Sequence, residues 1–155
     1  MRIVFEPIGA VHTPYSEKAP RQPMEDDESG EFLIELFPLY RGALRLIDRF
    51  RYVYVLFYMD RTGYRGNAAH PPGLKGGSVG LFASRSPHRP NAIGLDVARI
   101  IEVVDDLRLR TSGLSALDGS PLLDLKPYTP GDVKPDANPG WISGYDETSG
   151  QSNQE

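Results

Sequence analysis

The sequence predicts a single, mainly β domain: a small antiparallel barrel or sandwich with one short helix. Three observations favour this class. The chain has 155 residues, the length of one ordinary domain. Its 16 glycines and 14 prolines are typical of short strands joined by turns. Six or seven short apolar segments have strand length, whereas one segment has helical spacing. Periodicity alone is compatible with both a barrel and a sandwich.

The strand candidates are short segments rich in valine, isoleucine and aromatic residues. Residues 52–59 are apolar on both faces, as buried strands are. Residues 107–112 alternate apolar with polar side chains and predict a half-exposed strand, with a hairpin turn before it at Asp105-Asp106. In chain order the candidates are residues 3–5 with 8–11, 32–36, 52–59, 79–83, 93–104, 107–112 and 122–125.

Residues 39–48 are predicted to form the helix. Tyr40, Leu44 and Ile47 recur at helical spacing and would make one apolar stripe. A second face would carry arginines spaced four apart, namely Arg41, Arg45 and Arg49. This basic face is either a solvated surface or a contact for nucleic-acid phosphates, and the two alternatives stay open.

The composition excludes several kinds of site and several classes of protein. The chain has no cysteine, which excludes disulfides and thiolate metal sites and is typical of a cytoplasmic protein. Its histidines, His12, His70 and His88, are scattered, so no metal is expected. The apolar runs are much shorter than the roughly 20 residues of a membrane span. A net charge of −4 means that a nucleic-acid partner would need a local basic patch.

Residues 84–94, Ser-Arg-Ser-Pro-His-Arg-Pro-Asn-Ala-Ile-Gly, are the most informative segment. Two prolines stiffen a loop that carries two arginines, a histidine and an asparagine. Rigidly placed donors suit an anionic ligand. The alternative is a stiff turn whose arginines pair with the acidic residues 25–28. Residues 117–121, Leu-Asp-Gly-Ser-Pro, form a second polar cluster, followed by Asp124 and Lys126 on one strand face.

Four segments occur in an order that resembles one known family. They are PIGAVHTPY near the start, APRQP, VGLFASRSPHRPNAIGL and LDGSPLLDLKPYTP, and they run from about residue 7 to about residue 135. The chain resembles the TrmO (TsaA-like, YaeB) family of S-adenosylmethionine-dependent tRNA methyltransferases. The resemblance implies a β-barrel methyltransferase outside the Rossmann class. We expect this domain to occupy residues 1–142, because the polar composition of residues 143–155 predicts a frayed tail. It also implies a homodimer that methylates N6 of threonylcarbamoyladenosine next to the anticodon in tRNA.

The same resemblance assigns the cofactor pocket residue by residue. The residues implied to bind S-adenosylmethionine are Pro20, Arg21, Gln22, Asp60, Arg61, Arg85, Leu95, Leu117, Asp118, Gly119 and Ser120. Among them Arg85 is the first candidate for the cofactor's carboxylate, because a guanidinium fork matches a carboxylate.

The catalytic and substrate-binding candidates are chosen by their chemistry. Asp124 and His88 are the available bases for the accepting nitrogen, and the sequence ranks neither above the other. Lys126 completes the catalytic group as a candidate for the threonylcarbamoyl carboxylate. Four residues are predicted to bind the tRNA substrate, namely Arg89, Asn91, Arg41 and Arg45.

The sequence departs from the family pattern at several positions. Asp96 stands where serine is usual, and Asp60-Arg61 replace an aromatic residue and a histidine. Residues 49–52 read Arg-Phe-Arg-Tyr instead of Gly-Phe-Ser-His. Two other functions therefore stay open: a methyltransferase of this fold that acts on a small molecule, and a non-catalytic module that binds S-adenosylmethionine.

Overall fold

Six antiparallel strands close into a ring around the hydrophobic core. The computed structural model describes residues 1–20, 28–74 and 76–144. Its strands are β1 (Gly9–His12), β2 (Leu33–Leu36), β3 (Tyr52–Tyr58), β4 (Ala68–Ala69), β5 (Val79–Gly80), β6 (Ile93–Asp105), β7 (Arg108–Thr111) and β8 (Ser120–Tyr128). The ring has the order β1-β2-β7-β6-β3-β8, and β4 pairs with β5 apart from it. The mainly β, antiparallel class predicted from the sequence is confirmed.

Strand β3 lies in the middle of the longest part of the sheet, between β6 and β8. Its side chains alternate, with Val53, Val55 and Phe57 almost fully buried in the core. Three tyrosines and Leu56 occupy the alternate positions on the outer face, where a tyrosine hydroxyl can reach water. The apolar run of this segment therefore reflects a buried inner face and an aromatic outer face.

Gly94, near the start of β6, is required by the packing of Phe57. The two residues are direct neighbours across the β3–β6 pair. A Cβ atom at Gly94 would overlap the Phe57 ring, whose residue is only 2% exposed. The aromatic ring thus occupies the space that any other side chain at Gly94 would need.

The helix predicted over residues 39–48 is wrong. The structure has two short 3₁₀ helices there, Pro38–Tyr40 and Ile47–Arg49, with turns between them. Gly42 and Leu46 adopt left-handed backbone angles, with φ of +94° and +72°, which an α-helix does not allow. The apolar stripe nevertheless faces the core, since Leu44 is 6% exposed.

Several strand boundaries also differ from the prediction. Residues 3–5 form no strand and are largely exposed, and the segment 79–83 is strand only at Val79–Gly80 before the 3₁₀ helix Leu81–Ala83. The β6–β7 turn lies at residues 106–107, because Asp105 still pairs with Arg108. Strand β8 is longer than the predicted 122–125. Across the described ranges, no helix is both long and apolar enough to cross a membrane.

Candidate functional site

A cavity of about 210 Å³ lies at one end of the ring, where β3 ends and β6 begins. The polar loop 84–92, which joins the 3₁₀ helix Leu81–Ala83 to β6, forms one wall. Strand β6 forms another, and Ser115 completes it from the segment before β8. The lining residues are Phe57, Met59, Ser84, Arg85, Arg89, Ile93, Gly94, Leu95, Asp96 and Ser115.

The polar loop is held by its own hydrogen bonds. The Ser84 hydroxyl donates to the Leu81 carbonyl at 2.7 Å and accepts from the Ser86 N–H at 3.3 Å. The Arg89 guanidinium donates to the carbonyls of Ser84 and Ser86 at 2.9 and 3.3 Å. It also lies over the Phe82 ring. Arg89 therefore serves first to stabilise the loop.

Arg85 has a different environment from Arg89. It is exposed and lines the cavity, and it makes no hydrogen bond or ion pair with any residue that the structure describes. Its guanidinium can therefore bind a ligand without first breaking a contact inside the protein. Arg89 therefore stabilises the loop, whereas Arg85, four positions before it, is available to the cavity.

Asp96 is a buried carboxylate on the wall of the same cavity. It is 3% exposed, and both of its oxygens accept hydrogen bonds from Ser115, one from the backbone N–H and one from the hydroxyl, each at 2.7 Å. Burial raises the pKa of Asp96, while the Ser115 hydrogen bonds and the positive charge of Arg85 act in the opposite direction. Asp96 is not among the site residues that the sequence predicts. The available signal was a charged residue at an inward position of β6, between Gly94 and Ala98.

A second, smaller cavity of about 30 Å³ adjoins the first and shares Phe57, Met59 and Ser115 with it. It brings together Asp60 and Arg61 with Leu117 and Ser120, which come from distant parts of the sequence. The Arg61 guanidinium donates to the Asp118 carbonyl at 2.8 Å and to the Ser120 hydroxyl at 3.3 Å. The structure thus places two predicted cofactor-binding segments side by side.

The turn over residues 117–120 is shaped by internal contacts. Gly119 has a φ of +81°, a conformation that favours glycine. The Ser120 hydroxyl donates to the Leu117 carbonyl at 2.6 Å, and the Asp118 carboxylate accepts from the Thr13 N–H at 3.0 Å. The Asp118 side chain therefore anchors the turn to the segment after β1.

The remaining predicted cofactor residues come from the segment 20–22. Pro20 is half-buried. Arg21 and Gln22 lie outside the described residues. The acidic residues 25–27 lie outside them too, whereas Glu28 pairs with Arg99 at 3.4 Å and with neither loop arginine.

The predicted catalytic residues lie away from the lining of these two cavities. His88 is 9% exposed, and its Nδ1 lies 3.1 Å from the Gly63 carbonyl oxygen. Asp124 and Lys126 form an ion pair of 3.3 Å on β8, and both are well exposed. Asp124 is paired with Leu56, whose other neighbour is Leu95 of the cavity. Two strand spacings, about 10 Å, therefore separate Asp124 from Leu95.

The four predicted substrate residues do not form one surface. Arg41 and Arg45 line a cavity of about 320 Å³ at the opposite end of β6, where Arg41 pairs with Asp106 at 3.4 Å. Asn91 and Arg89 line a fourth cavity of about 430 Å³ beside the polar loop, together with Phe5 from the N-terminal segment.

The cavity at the start of β6 suits a small ligand that carries one positive and one negative group. It offers a cationic side chain, Arg85, and an anionic side chain, Asp96, in a mainly apolar lining. Within the described ranges no cluster of histidine and carboxylate side chains could hold a metal ion.

The sequence of this chain is similar to those of several known proteins. Residues 10–132 match the family described as the tRNA-methyltransferase O N-terminal domain. The chain is 40% identical over 130 residues to an S-adenosyl-L-methionine-binding protein of Archaeoglobus fulgidus, covering 83% of this chain and 91% of that relative. It is 37% identical over 147 residues to the tRNA (adenine(37)-N6)-methyltransferase of Escherichia coli, covering 86% of this chain and 61% of that enzyme.

The fold is also similar to solved structures. The crystal structure of TrmO from Pseudomonas aeruginosa aligns with a TM-score of 0.71 and 34% identity over 90% of this chain. Another TrmO crystal structure aligns with a TM-score of 0.72 and 36% identity, also over 90% of this chain. The chain spans 62% of the length of each of these two structures.

Proposed function

Since the chain belongs to the family of tRNA-methyltransferase O N-terminal domains, we propose that it transfers the methyl group of S-adenosylmethionine to N6 of adenine 37 in tRNA. The finer substrate that we propose is the threonylcarbamoyl-modified adenosine. The observation that supports this function best is the cavity at the start of β6, where the polar loop presents Arg85, which makes no hydrogen bond or ion pair with the described residues.

The residues of the cavity fit the cofactor's chemistry. S-adenosylmethionine carries a carboxylate, an ammonium group and a sulfonium, and when bound it supplies a methyl group that needs no further activation. Arg85 would bind the carboxylate, and Leu95 would contribute an apolar wall. The adjoining cavity, with Arg61, Leu117 and Ser120, would hold the remainder of the molecule. The protein's main contribution is orientation of the two reactants.

The accepting nitrogen must lose a proton, and Asp124 and His88 are the proposed acceptors. The assignment of Asp124 as the proton acceptor is supported by its exposure and by its position on the same outer face of the sheet as Leu95. His88 is the less accessible of the two, because it is buried against the Gly63 carbonyl. Lys126, beside Asp124, would bind the threonylcarbamoyl carboxylate.

The RNA is proposed to contact two regions. Arg89 and Asn91 lie beside the cofactor cavity and would contact the modified nucleotide or its phosphates. Arg41 and Arg45 lie at the other end of β6 and would contact phosphates farther along the RNA.

We also propose a cytoplasmic homodimer whose folded unit is residues 1–142. The dimer is supported by exposed apolar side chains on the outer face near the cavity: Tyr58, Ile93 and Leu95 are 45%, 42% and 54% exposed. The domain limit is supported by Trp141, whose indole N–H donates to the Ala83 carbonyl at 2.6 Å. Sedimentation velocity measures the oligomeric state in solution. We expect a dimer, and a monomer would contradict the proposal.

Calorimetric titration of S-adenosylmethionine into the wild type and Arg85→Ala tests the cofactor site. Loss of one charge-assisted contact of about 1.5–3 kcal/mol should weaken binding about 10- to 100-fold. Arg108→Ala is the matched control, because it removes an exposed arginine at the other end of β6. Equal binding by all three proteins would contradict the assignment of Arg85.

A second candidate function is binding of S-adenosylmethionine without methyl transfer. The relative that this chain covers to 91% of its length is named a binding protein, whereas the tRNA methyltransferase from E. coli is longer. Methyl transfer to tRNA that bears the threonylcarbamoyl group but no N6-methyl group decides between the two. Turnover supports the enzyme, and tight cofactor binding without turnover supports the binding module.

A further inference from the structure

We propose that Asp96 selects the cofactor by charge: its carboxylate receives the ammonium group of S-adenosylmethionine while Arg85 receives the neighbouring carboxylate. The proposal rests on the proposed function, because it concerns the ligand of the same cavity. It assigns a binding role to a residue that stands where the family pattern has serine.

The two side chains line the same cavity but come from different walls of it. Asp96 is held on β6, and Arg85 projects from the polar loop before it. The two charges influence each other, since Arg85 favours the ionised form of Asp96. An α-amino acid carries its ammonium and carboxylate on the same carbon atom. A cation and an anion that line one cavity match both groups at once.

The fold alone gives no reason for a charge at this position. Asp96 is buried, and it forms no ion pair with any described residue. A neutral side chain would satisfy Ser115 equally well and would avoid the cost of burying a carboxylate. Buried charges that cost stability are typical of functional sites.

The hydrogen bonds of Asp96 leave room for a ligand. Ser115 supplies one hydrogen bond to each carboxylate oxygen, and each oxygen can accept a second. The Ser115 contacts also fix the orientation of the carboxylate. Asp96 is therefore preorganised to accept from an ammonium group that enters the cavity.

The test is calorimetric titration of three ligands into the wild type and Asp96→Asn. The ligands are S-adenosylmethionine, S-adenosylhomocysteine, which keeps the ammonium but lacks the sulfonium charge, and 5′-methylthioadenosine, which lacks the whole amino-acid end. We expect Asp96→Asn to bind the first two about 10- to 100-fold more weakly and to bind methylthioadenosine unchanged. Asparagine can still accept from the Ser115 N–H, and Asp96→Ser provides a second variant. Asp106→Asn, an exposed aspartate at the other end of β6, is the matched control.

Each other result overturns the proposal. Unchanged binding of all three ligands removes Asp96 from the site. A loss confined to S-adenosylmethionine would place the carboxylate beside the sulfonium instead, and an equal loss for methylthioadenosine would mean a general disturbance of the cavity. Failure of the wild type to bind S-adenosylmethionine would overturn the proposed function as well, so the two failures are distinguishable.

Discussion

Replacing Gly94 with alanine should destabilise the protein and also distort the cavity at the start of β6. The added methyl group overlaps the Phe57 ring, which is 2% exposed and has no open space to enter except the cavities that it lines. Overpacking of this kind costs about 1–3 kcal/mol. For a domain of this size each kcal/mol corresponds to about 2–4 °C, so the melting temperature should fall by about 2–12 °C.

Thermal unfolding followed by circular dichroism measures the stability, and calorimetry measures S-adenosylmethionine binding at a temperature where the variant is folded. Gly80→Ala is the control, because Gly80 is also in a strand, has a φ of −58° and has no atom within 4 Å of the added Cβ. A Gly94→Ala protein that melts with the wild type and binds the cofactor equally well would refute the packing argument.

Three further predictions concern charge. Because burial raises the pKa of Asp96, the folded state keeps this proton to a higher pH than the unfolded chain does, so ionisation of Asp96 lowers stability as pH rises above the usual aspartate range. Asp96→Asn, which cannot ionise, should therefore gain in melting temperature over the wild type from pH 4 toward pH 7, and a constant difference would contradict this. Asp124→Asn should lower the rate of methyl transfer at saturating cofactor while leaving cofactor affinity unchanged, and full turnover would remove Asp124 as the base. Affinity for tRNA should fall steeply with added salt. In a filter-binding titration, the double variant Arg41→Ala/Arg45→Ala should reduce the slope of log K against log salt concentration by about 1–2 units. An unchanged slope would exclude those arginines from the interface.

The central strands could be predicted because their local pattern and their final environment agree. Residues 52–59 and 93–104 are almost the observed β3 and β6. The helix over residues 39–48 was predicted wrongly because helical spacing does not reveal backbone angles. Leu46 adopts a left-handed conformation that is rare for a residue with a side chain, so nothing in the local pattern indicated it.

The sequence predicts which segments form the candidate site, but it does not predict the role of each residue in them. Arg85 and Arg89 come from the same loop, and both are arginines followed by small or cyclic residues. Only the folded loop shows that Arg89 donates to nearby carbonyls, whereas Arg85 lines the cavity and makes no such contact with the described residues. Asp96 could be placed on the inner face by alternation, but its cavity forms only when Ser115, from the segment before β8, lies beside it.

The pairing of β1 with β8 has a consequence for how the protein is made. Gly9 pairs with Leu122, so the ring closes only through residues more than a hundred positions apart. On the ribosome, β1 and β3 must each wait for β8 before their last free edge is covered. Until then the nascent chain carries open strand edges, which favour association with other chains. Slow synthesis of the last strand should therefore lower the yield of folded protein more than the same delay at residues 63–67, which belong to no strand of the ring.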